Sequence, residues 1–189
     1  MRIINKDELD LQENFILNKI ASGELFLHPT DTIYGLGCNA TDSEAVKSLR
    51  ALKKRPDKPL SVIAPSKEWI KENCVLPEEH EKWLDKLPGP YTLLLELQNK
   101  NAVSGEVTKS LNTIGVRIPE HWISETVSKL RQPVITTSAN VVGENFMTSL
   151  DNLSSEIKQG LHFVIYEGEK NGSPSKIVDL TKNAKIIER

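Results

Sequence analysis

The sequence predicts an α/β fold in which a twisted, open, mixed sheet is flanked by helices. Short apolar segments typical of strands alternate with segments whose apolar residues recur at helical spacing, and the strands cluster in the later part of the chain. Such alternation is typical of α/β sheets, and the late clustering favours mixed strand directions. The 189 residues contain no internal repeat, low-complexity linker or break in composition, so we expect one domain over residues 1–189.

The first elements follow from apolar spacing and helix-capping residues. Apolar residues at helical intervals predict a helix over residues 7–22, and a strand is expected over 24–28. Thr41 to Glu44 form a capping-box pattern that begins the next helix. The buried stripe of this helix is predicted to consist of Ala45, Val46, Leu49 and Leu52.

The remaining elements continue the alternation to the end of the chain. Ser66 is a candidate helix cap, and Pro77 is a candidate for the first turn of another helix. Further helices are expected near 122–131 and 150–158. Strands are expected over residues 60–64, 91–97, 114–118, 134–137, 163–166, 176–180 and 185–188.

Charge and hydropathy indicate the kind of ligand and the compartment. The net charge is −2, whereas proteins that hold duplex nucleic acid usually carry a basic surplus. The positive charge is instead concentrated in one short stretch of the chain, residues 50–58, which suits a small polyanion such as a nucleotide triphosphate. No apolar run approaches the ~20 residues that span a bilayer, and the N-terminus has no signal core, so we expect a cytoplasmic protein without membrane contact. The local cluster consists of Arg50, Lys53, Lys54, Arg55 and Lys58.

The basic segment 53–59 directly follows a predicted helix. Cations at a helix C-terminus are ordinary, because they interact favourably with the helix dipole. The alternative is a phosphate clamp, in which arginine binds phosphate oxygens in a bidentate manner and lysine supplies a compact charge. Pro56 and Pro59 favour the clamp, because they stiffen the loop that carries these charges.

Four other polar segments follow or enter predicted strands, at 29–37, 115–119, 136–140 and 172–180. Taken one at a time, most of these segments are explained by the preference of their residues for turns. The alternative is that these segments bind a ligand, because ligands of open α/β sheets bind beyond the carboxyl ends of the strands. Arg117 is either an exposed surface arginine or a carboxylate-binding residue, since its strand neighbours point to the opposite face.

Together and in this order, the segments resemble the YrdC family, the threonylcarbamoyl-AMP synthases. The resemblance rests on PTDTIYGLG, KKRP followed by DKPLSV, PGPYTLLL, GVRIP, TTSAN and SPSKIVDL, which span residues 29–180. It implies a twisted α/β sheet around a large, concave, basic cavity. Because the chain ends at Arg189, it is similar to the short, single-domain members of the family.

The resemblance also implies roles for individual residues. Lys53, Arg55, Ser138 and Asn140 match the positions that hold the nucleotide phosphates. Further ATP contacts are implied for Lys58, Thr113 and Arg189. L-threonine contacts are implied for Thr32, Arg117, Thr136 and Ser175, with Arg117 binding the carboxylate. The chain departs from the family at Ile63, where many relatives have histidine, and at His28, which replaces an aromatic residue.

The implied reaction joins L-threonine, bicarbonate or carbon dioxide, and ATP into threonylcarbamoyl-adenylate and pyrophosphate, for the modification of tRNA adenosine 37. Lys53 and Arg55 are the predicted catalytic residues, as fixed cations facing charge that develops on the phosphates. Mg²⁺ is expected with the ATP, bound mostly by phosphates and water. Expected partners are tRNA or downstream tRNA-modification proteins. A lid over 141–149 or 167–174 is expected to exclude water.

Two other functions remain open from the residues. The first is a non-catalytic protein of the same fold that binds tRNA or ribosomal RNA through the basic cavity. The second is a carbamoyl-handling module for metal-centre maturation. The acidic net charge and the lack of basic residues interleaved with aromatics count against RNA binding.

Overall fold

A mixed, eleven-stranded sheet forms the centre of the protein in a computed structural model that describes residues 1–109, 111–182 and 184–187. In chain order the strands are β1 (Arg2–Ile4), β2 (Phe26–His28), β3 (Gly35–Gly37), β4 (Ser61–Ile63), β5 (Cys74–Val75), β6 (Tyr91–Leu97), β7 (Thr113–Arg117), β8 (Val134–Ser138), β9 (Phe163–Ile165), β10 (Lys176–Asp179) and β11 (Lys185–Ile187).

Helices flank this sheet, and most of them are short. The α-helices are α1 (Lys6–Leu11), α2 (Glu13–Ala21), α3 (Ser43–Lys53), α4 (Lys67–Asn73), α5 (Gly105–Thr108), α6 (Ile123–Leu130) and α7 (Ser155–Gly160). Two 3₁₀-helices cover Glu78–Lys86 and Leu150–Asn152. Together with the open sheet, these helices confirm the predicted α/β fold class.

The order of strands across the sheet brings distant segments side by side. It runs β1-β9-β2-β3-β8-β4-β7-β6-β10-β11, and β5 pairs with β6. In the centre, β4 is parallel to β7 and antiparallel to β8, while β3 is antiparallel to β8. The polar segments 29–37 and 136–140 therefore meet on the neighbouring strands β3 and β8, and the segment 115–119 begins on β7, with β4 between β8 and β7.

Register in the central strands places small and polar residues opposite one another. Ser61 lies opposite Gly115 on β7 and Thr136 on β8, and Gly35 on β3 lies opposite Ser138. Because side chains alternate between the two faces of a strand, Ser61 and Thr136 share one face of the sheet. This face carries the candidate site.

Apolar residues on the two faces of the sheet belong to two separate clusters. The larger cluster includes Leu27, Val62 and Ile135, and the smaller includes the adjacent residues Phe26, Ile63 and Val134. Adjacent strand residues point to opposite faces, so each cluster covers one face. The polar cleft described below lies on the face of the smaller cluster.

The predicted helix over 7–22 is divided in two. Gln12 has φ −124° and ψ 26°, which ends α1 and begins α2. Leu9, Ile16 and Ile20 are all buried, so the apolar spacing continues across the break and conceals it. Asn5 caps α1 in a reciprocal capping box with Glu8.

The cap of α3 is Asp42, so the predicted capping box beginning at Thr41 is wrong. The Asp42 carboxylate accepts hydrogen bonds from the backbone N–H groups of Glu44 and Ala45, at 2.9 and 3.0 Å. The Thr41 hydroxyl instead donates to Asn39. The buried stripe of α3 is otherwise as predicted, with Leu52 only partly buried.

Candidate functional site

A polar cleft lies over the centre of the sheet and consists of two adjoining cavities. The inner cavity has a volume of about 30 Å³, and the outer cavity has about 200 Å³. Both are lined by Ser61, Thr92, Thr136 and Thr137. The inner cavity is also lined by Thr30, Ile33, Tyr34, Gly35, Arg117, Ser138, Pro174 and Ser175. The outer cavity is also lined by Arg55, Pro59, Leu60, Leu94, Gly115, Ile177 and Ile187.

Two glycines allow the close approach of chain segments in the cleft. A Cβ atom at Gly115 would lie 2.5 Å from the Ser61 hydroxyl oxygen, so any side chain there would displace Ser61. A Cβ atom at Gly172 would lie 2.2 Å from the carbonyl oxygen of Thr32. The loop before β10 can therefore approach the segment after β2 only with glycine at this position.

Arg117 is the buried cation of the inner cavity. Only 5% of the residue is exposed, so the surface-arginine alternative is wrong. Its guanidinium forms an ion pair with Asp31 through Nη2, and Nη1 donates to the Thr32 hydroxyl at 3.2 Å. Arg117 thus has one carboxylate partner within the protein, and its binding of a substrate carboxylate stays a prediction.

The other three residues predicted to contact L-threonine lie in or beside the same cavity. Thr136 and Ser175 line it, and Ser175 shares a hydrogen bond of 2.7 Å with the Thr92 hydroxyl. Thr32 is buried, and its hydroxyl is 3.0 Å from that of Thr30. The four predicted residues therefore surround one small, hydroxyl-rich volume with a single arginine.

Lys53 connects the end of α3 to the segment after β8. Its exposed fraction is 1%, and its ammonium group donates to the carbonyl oxygens of Ser138 and Asn140, the latter at 2.7 Å. The side-chain oxygen of Asn140 lies 3.3 Å away. Burial, with the charge of Arg55 as a second cause, lowers the pKa of Lys53 to about 7.

Ser138 and Asn140 also contact each other. The Ser138 hydroxyl donates to the Asn140 side-chain oxygen at 2.5 Å, and the Asn140 amide donates to the carbonyl of Glu144 at 2.7 Å. Both residues are partly exposed. Lys53, Ser138 and Asn140, which are far apart in the sequence, thus form one hydrogen-bonded cluster at the rim of the cleft.

The remaining predicted ATP contacts differ in their location. Arg55 lines the outer cavity, and its Nη2 donates to the Pro59 carbonyl at 3.0 Å. Lys58 is exposed on the same loop. Thr113 begins β7 on the face that carries Gly115 and Arg117, but it does not line either described cavity. Arg189 lies outside the described residues.

Arg50 has a structural role that the basic cluster in the sequence did not indicate. It is 4% exposed, and Nη1 donates to the carbonyl oxygens of Arg55 and Lys58, each at 2.9 Å. Nε and Nη2 donate to the carbonyls of Glu106 and Val107, at 2.7 and 3.1 Å. The guanidinium therefore fixes the loop that carries the predicted phosphate ligands. Arg50 directly follows Leu49 and lies one helical turn after Val46, next to the buried stripe of α3. This position was the signal in the sequence that Arg50 could be buried.

The two departures from the family pattern are both buried. His28 packs its imidazole against Gly35, where a Cβ atom would lie 2.8 Å from the ring carbon Cε1. Burial lowers the pKa of His28 to about 4, so the ring is neutral at physiological pH. Ile63 belongs to the smaller apolar cluster and lies opposite Arg117 in the register of β4 and β7.

The loop after β9 is held at several points, and its Pro174 lines the inner cavity. The Tyr34 hydroxyl donates to the carbonyl of Gly168 at 2.6 Å and accepts from the N–H of Glu167 at 3.1 Å. The Glu167 carboxylate accepts from the Trp122 indole at 2.9 Å and pairs with Lys170 at 2.5 Å. Residues 167–174, one of the two predicted lids, are thus anchored beside the inner cavity, and their role as a lid stays a prediction.

The described residues also bear on metal binding and on membrane spanning. Residues 1–109, 111–182 and 184–187 include no group of three or more His, Cys, Asp or Glu arranged to hold a metal ion. Within the same ranges, every helix is too short or too polar to cross a bilayer.

These features define the class of the protein as an α/β domain with a polar cleft, whose inner cavity holds a buried arginine and is also lined by the serine that contacts Lys53 and Asn140. Comparison with known proteins identifies the family. The family model Sua5_yciO_yrdC, described as "Telomere recombination", matches residues 18–189. The chain therefore belongs to the Sua5/YciO/YrdC family, as its motifs predicted.

Relatives and a solved structure support this membership. The threonylcarbamoyl-AMP synthase of Vibrio parahaemolyticus is 31% identical over 191 residues, which cover 94% of this chain and 99% of the relative. That of Pyrococcus abyssi is 34% identical over 175 residues, covering 90% of this chain and 51% of the relative. The crystal structure of P. abyssi Sua5 complexed with L-threonine superposes with a TM-score of 0.85 at 32% identity, and covers 97% of this chain. This chain matches 55% of the length of that solved chain.

Proposed function

We propose that the protein is a threonylcarbamoyl-AMP synthase, which converts L-threonine, bicarbonate or carbon dioxide, and ATP into L-threonylcarbamoyladenylate and pyrophosphate. The product would serve the threonylcarbamoyl modification of tRNA adenosine 37. One observation carries the proposal: Lys53 contacts Ser138 and Asn140 at the rim of the cleft whose inner end holds Arg117. In support, Ser138, which is predicted to hold phosphate, lines the same inner cavity as Arg117, Thr136 and Ser175, which are predicted to contact L-threonine.

The inner cavity suits a small amino acid. The Arg117 guanidinium is a suitable partner for an α-carboxylate, because its planar donors match carboxylate geometry. The hydroxyls of Thr32, Thr136 and Ser175 surround the same region and supply hydrogen-bond donors and acceptors. A relative at 32% identity, P. abyssi Sua5, has been crystallised with L-threonine, which supports this amino acid as the substrate.

The outer cavity suits the nucleotide. Arg55 lines it, and its other walls include the apolar side chains of Leu60, Leu94 and Ile177, which offer a surface for a flat base. The phosphates would then lie toward Lys53, Ser138 and Asn140. To bind them, the ammonium of Lys53 would exchange a carbonyl partner for a phosphate oxygen.

The chemistry then follows from proximity and fixed charge. The threonine amine attacks carbon dioxide and loses a proton, which gives a carbamate. A carbamate oxygen attacks the α-phosphorus, and the bond to the β-phosphate breaks to release pyrophosphate. Lys53 and Arg55 would stabilise the negative charge that moves onto the leaving phosphates. Holding both substrates in one cleft removes the entropy cost of a second encounter.

Mg²⁺ would accompany ATP, held mostly by phosphate oxygens and water. The donors of the cleft fit this arrangement, because Thr137 and Ser138 offer hydroxyl oxygens near the phosphate end rather than a dedicated carboxylate cage. When bound, the ion would neutralise phosphate charge. We place the protein in the cytoplasm as one domain, where tRNA or downstream tRNA-modification proteins would consume the product.

An assay of product formation tests the proposal. The protein is incubated with ATP, Mg²⁺, bicarbonate and radiolabelled L-threonine, and both the mixed anhydride and pyrophosphate are measured. We expect equimolar formation of the two products, and none when bicarbonate or L-threonine is omitted. A protein that only binds RNA would release no pyrophosphate under any of these conditions, and that result would refute the proposed function.

A further inference from the structure

The inner cavity has an unusual balance of charge. Among the described residues that line it, Arg117 is the one with a charged side chain, and the others are hydroxyl-bearing or apolar. A lone buried guanidinium would attract any small anion, including many carboxylic acids of the cell. The charges immediately around Arg117 therefore determine which carboxylates the cavity accepts.

Asp31 lies behind Arg117 and pairs with it. Its Oδ1 contacts Nη2 of the guanidinium, and its Oδ2 accepts from the N–H of Glu120 at 3.0 Å. The exposed fractions of the two side chains are 6% for Arg117 and 10% for Asp31. Asp31 does not line the cavity, so it acts on a ligand through its charge and through Arg117.

Other ionisable groups near Asp31 do not alter this balance. His28 is neutral, and burial also lowers the pKa of His121, although hydrogen bonding to Glu167 opposes the shift. Glu167 and Lys170 form their own ion pair at 2.5 Å. Arg117 and Asp31 together therefore form a pair of net charge zero at the arginine end of the inner cavity.

We propose that Asp31 is a specificity-determining residue that keeps the amino-acid cavity electrically neutral, so that the cavity accepts a zwitterionic α-amino acid and disfavours carboxylic acids without an amino group. The inference rests on the proposed function of the site. An α-amino acid adds no net charge to the cavity. A simple carboxylate adds one negative charge close to Asp31, and this repulsion is weakly screened in a buried site.

The test compares two ligands that differ in the amino group. L-threonine and (R)-3-hydroxybutyrate, which has the same hydroxyl and carboxylate but no amine, are titrated calorimetrically into the wild type and Asp31→Asn. The asparagine keeps the size and an oxygen acceptor but removes the charge. We expect the wild type to prefer L-threonine, and this preference to fall by about tenfold or more in Asp31→Asn as the hydroxy acid binds more tightly.

Asp179→Asn is the matched control. Asp179 is also a buried carboxylate that accepts a backbone N–H, from Thr181 at 3.1 Å, and it lies four residues beyond Ser175 on β10. Its substitution should leave the preference unchanged. Equal weakening of both ligands in Asp31→Asn, or an unchanged preference, would overturn the inference.

Two results with the wild type keep the inference testable even if Asp31→Asn does not fold. Wild-type protein that binds both ligands with equal affinity contradicts the role of Asp31 and leaves the proposed function intact. Wild-type protein that binds no L-threonine, with ATP present or absent, contradicts the proposed function and this inference together.

Discussion

Lys53 is a buried cation whose protonation depends on its surroundings. Its side chain is almost fully enclosed, yet its ammonium has carbonyl acceptors on the Ser138–Asn140 segment. Burial nevertheless lowers the pKa of Lys53 to about 7 from 10.5. Because the folded pKa is the lower one, the unfolded chain binds more protons between these values, and the contribution of Lys53 to the free energy of unfolding rises with pH across that window.

A bound triphosphate would reverse this shift, because the phosphate charge favours the ammonium form. We predict that ATP binding at about pH 8 is accompanied by proton uptake, because a neutral fraction of Lys53 becomes charged. Titration calorimetry in buffers of different ionisation enthalpy measures this uptake. Lys54→Met, which alters the exposed neighbouring lysine, should retain it. ATP binding by the wild type without proton uptake would contradict the assigned role of Lys53.

The sequence could name candidate site residues but not the contacts between them. Motif order indicated Lys53, Ser138, Asn140 and Arg117. The ion pair of Arg117 with Asp31 joins residues 86 positions apart, and the hydrogen bonds of Lys53 to Asn140 join residues 87 apart. Such contacts depend on how the strands are ordered in the sheet, which local patterns do not specify.

The loop between α3 and β4 is shaped by Arg50 rather than by its own prolines alone. The guanidinium binds the carbonyl oxygens of Arg55 and Lys58 on one side and of Glu106 and Val107 on the other. Arg50 thereby ties this loop to α5. A residue that does not line the cleft therefore holds the loop that carries the proposed phosphate ligands.

We predict that Arg50→Lys destabilises the protein by about 2–4 kcal/mol, because one ammonium cannot satisfy the carbonyls that the planar guanidinium bridges. The same variant should bind ATP more weakly, since the loop with Arg55 is less ordered. Urea denaturation and ATP titration measure the two effects. Lys47→Ala is the control, because Lys47 is exposed on the same helix and pairs only with Glu44. A destabilised Arg50→Lys with normal ATP affinity would show that the loop does not need this support.

Prediction of the strands and helices succeeded where the local signal was strong. β6 has the predicted bounds Tyr91–Leu97, and β7 and β8 begin or end within one residue of the expected positions. β1, β3 and β5 were not predicted: each has only two or three residues, and β1 forms by pairing with the distant strand β9. In β3, two of the three residues are glycines, which have low strand propensity.

Taken as a whole, the molecule encloses its inner cavity with chain from both ends of the sequence. The loop over 167–174 is held to Tyr34, and the N–H of Lys170 donates to the carbonyl of Thr148 at 2.9 Å. The two segments predicted as lids are thus hydrogen-bonded to each other.

We predict that ATP and L-threonine together protect this loop from proteolysis, because a filled cleft favours the closed arrangement. Tryptic cleavage after Lys170 should slow in the presence of both ligands, while cleavage after Lys100, which is exposed in the loop after β6, should not change. Mass spectrometry of timed digests gives both rates. Equal slowing at the two sites would indicate general stabilisation instead of closure over the cleft.

The most direct test of the account uses two adjacent lysines. Lys53→Met removes the ammonium that joins α3 to the Ser138–Asn140 segment, and Lys54→Met removes an exposed lysine that pairs with Glu156. The measurement is the rate of threonylcarbamoyl-adenylate formation, with circular dichroism to verify folding. The account predicts that folded Lys53→Met loses activity by about 100-fold or more while Lys54→Met stays near wild type. Near wild-type activity in Lys53→Met would contradict it.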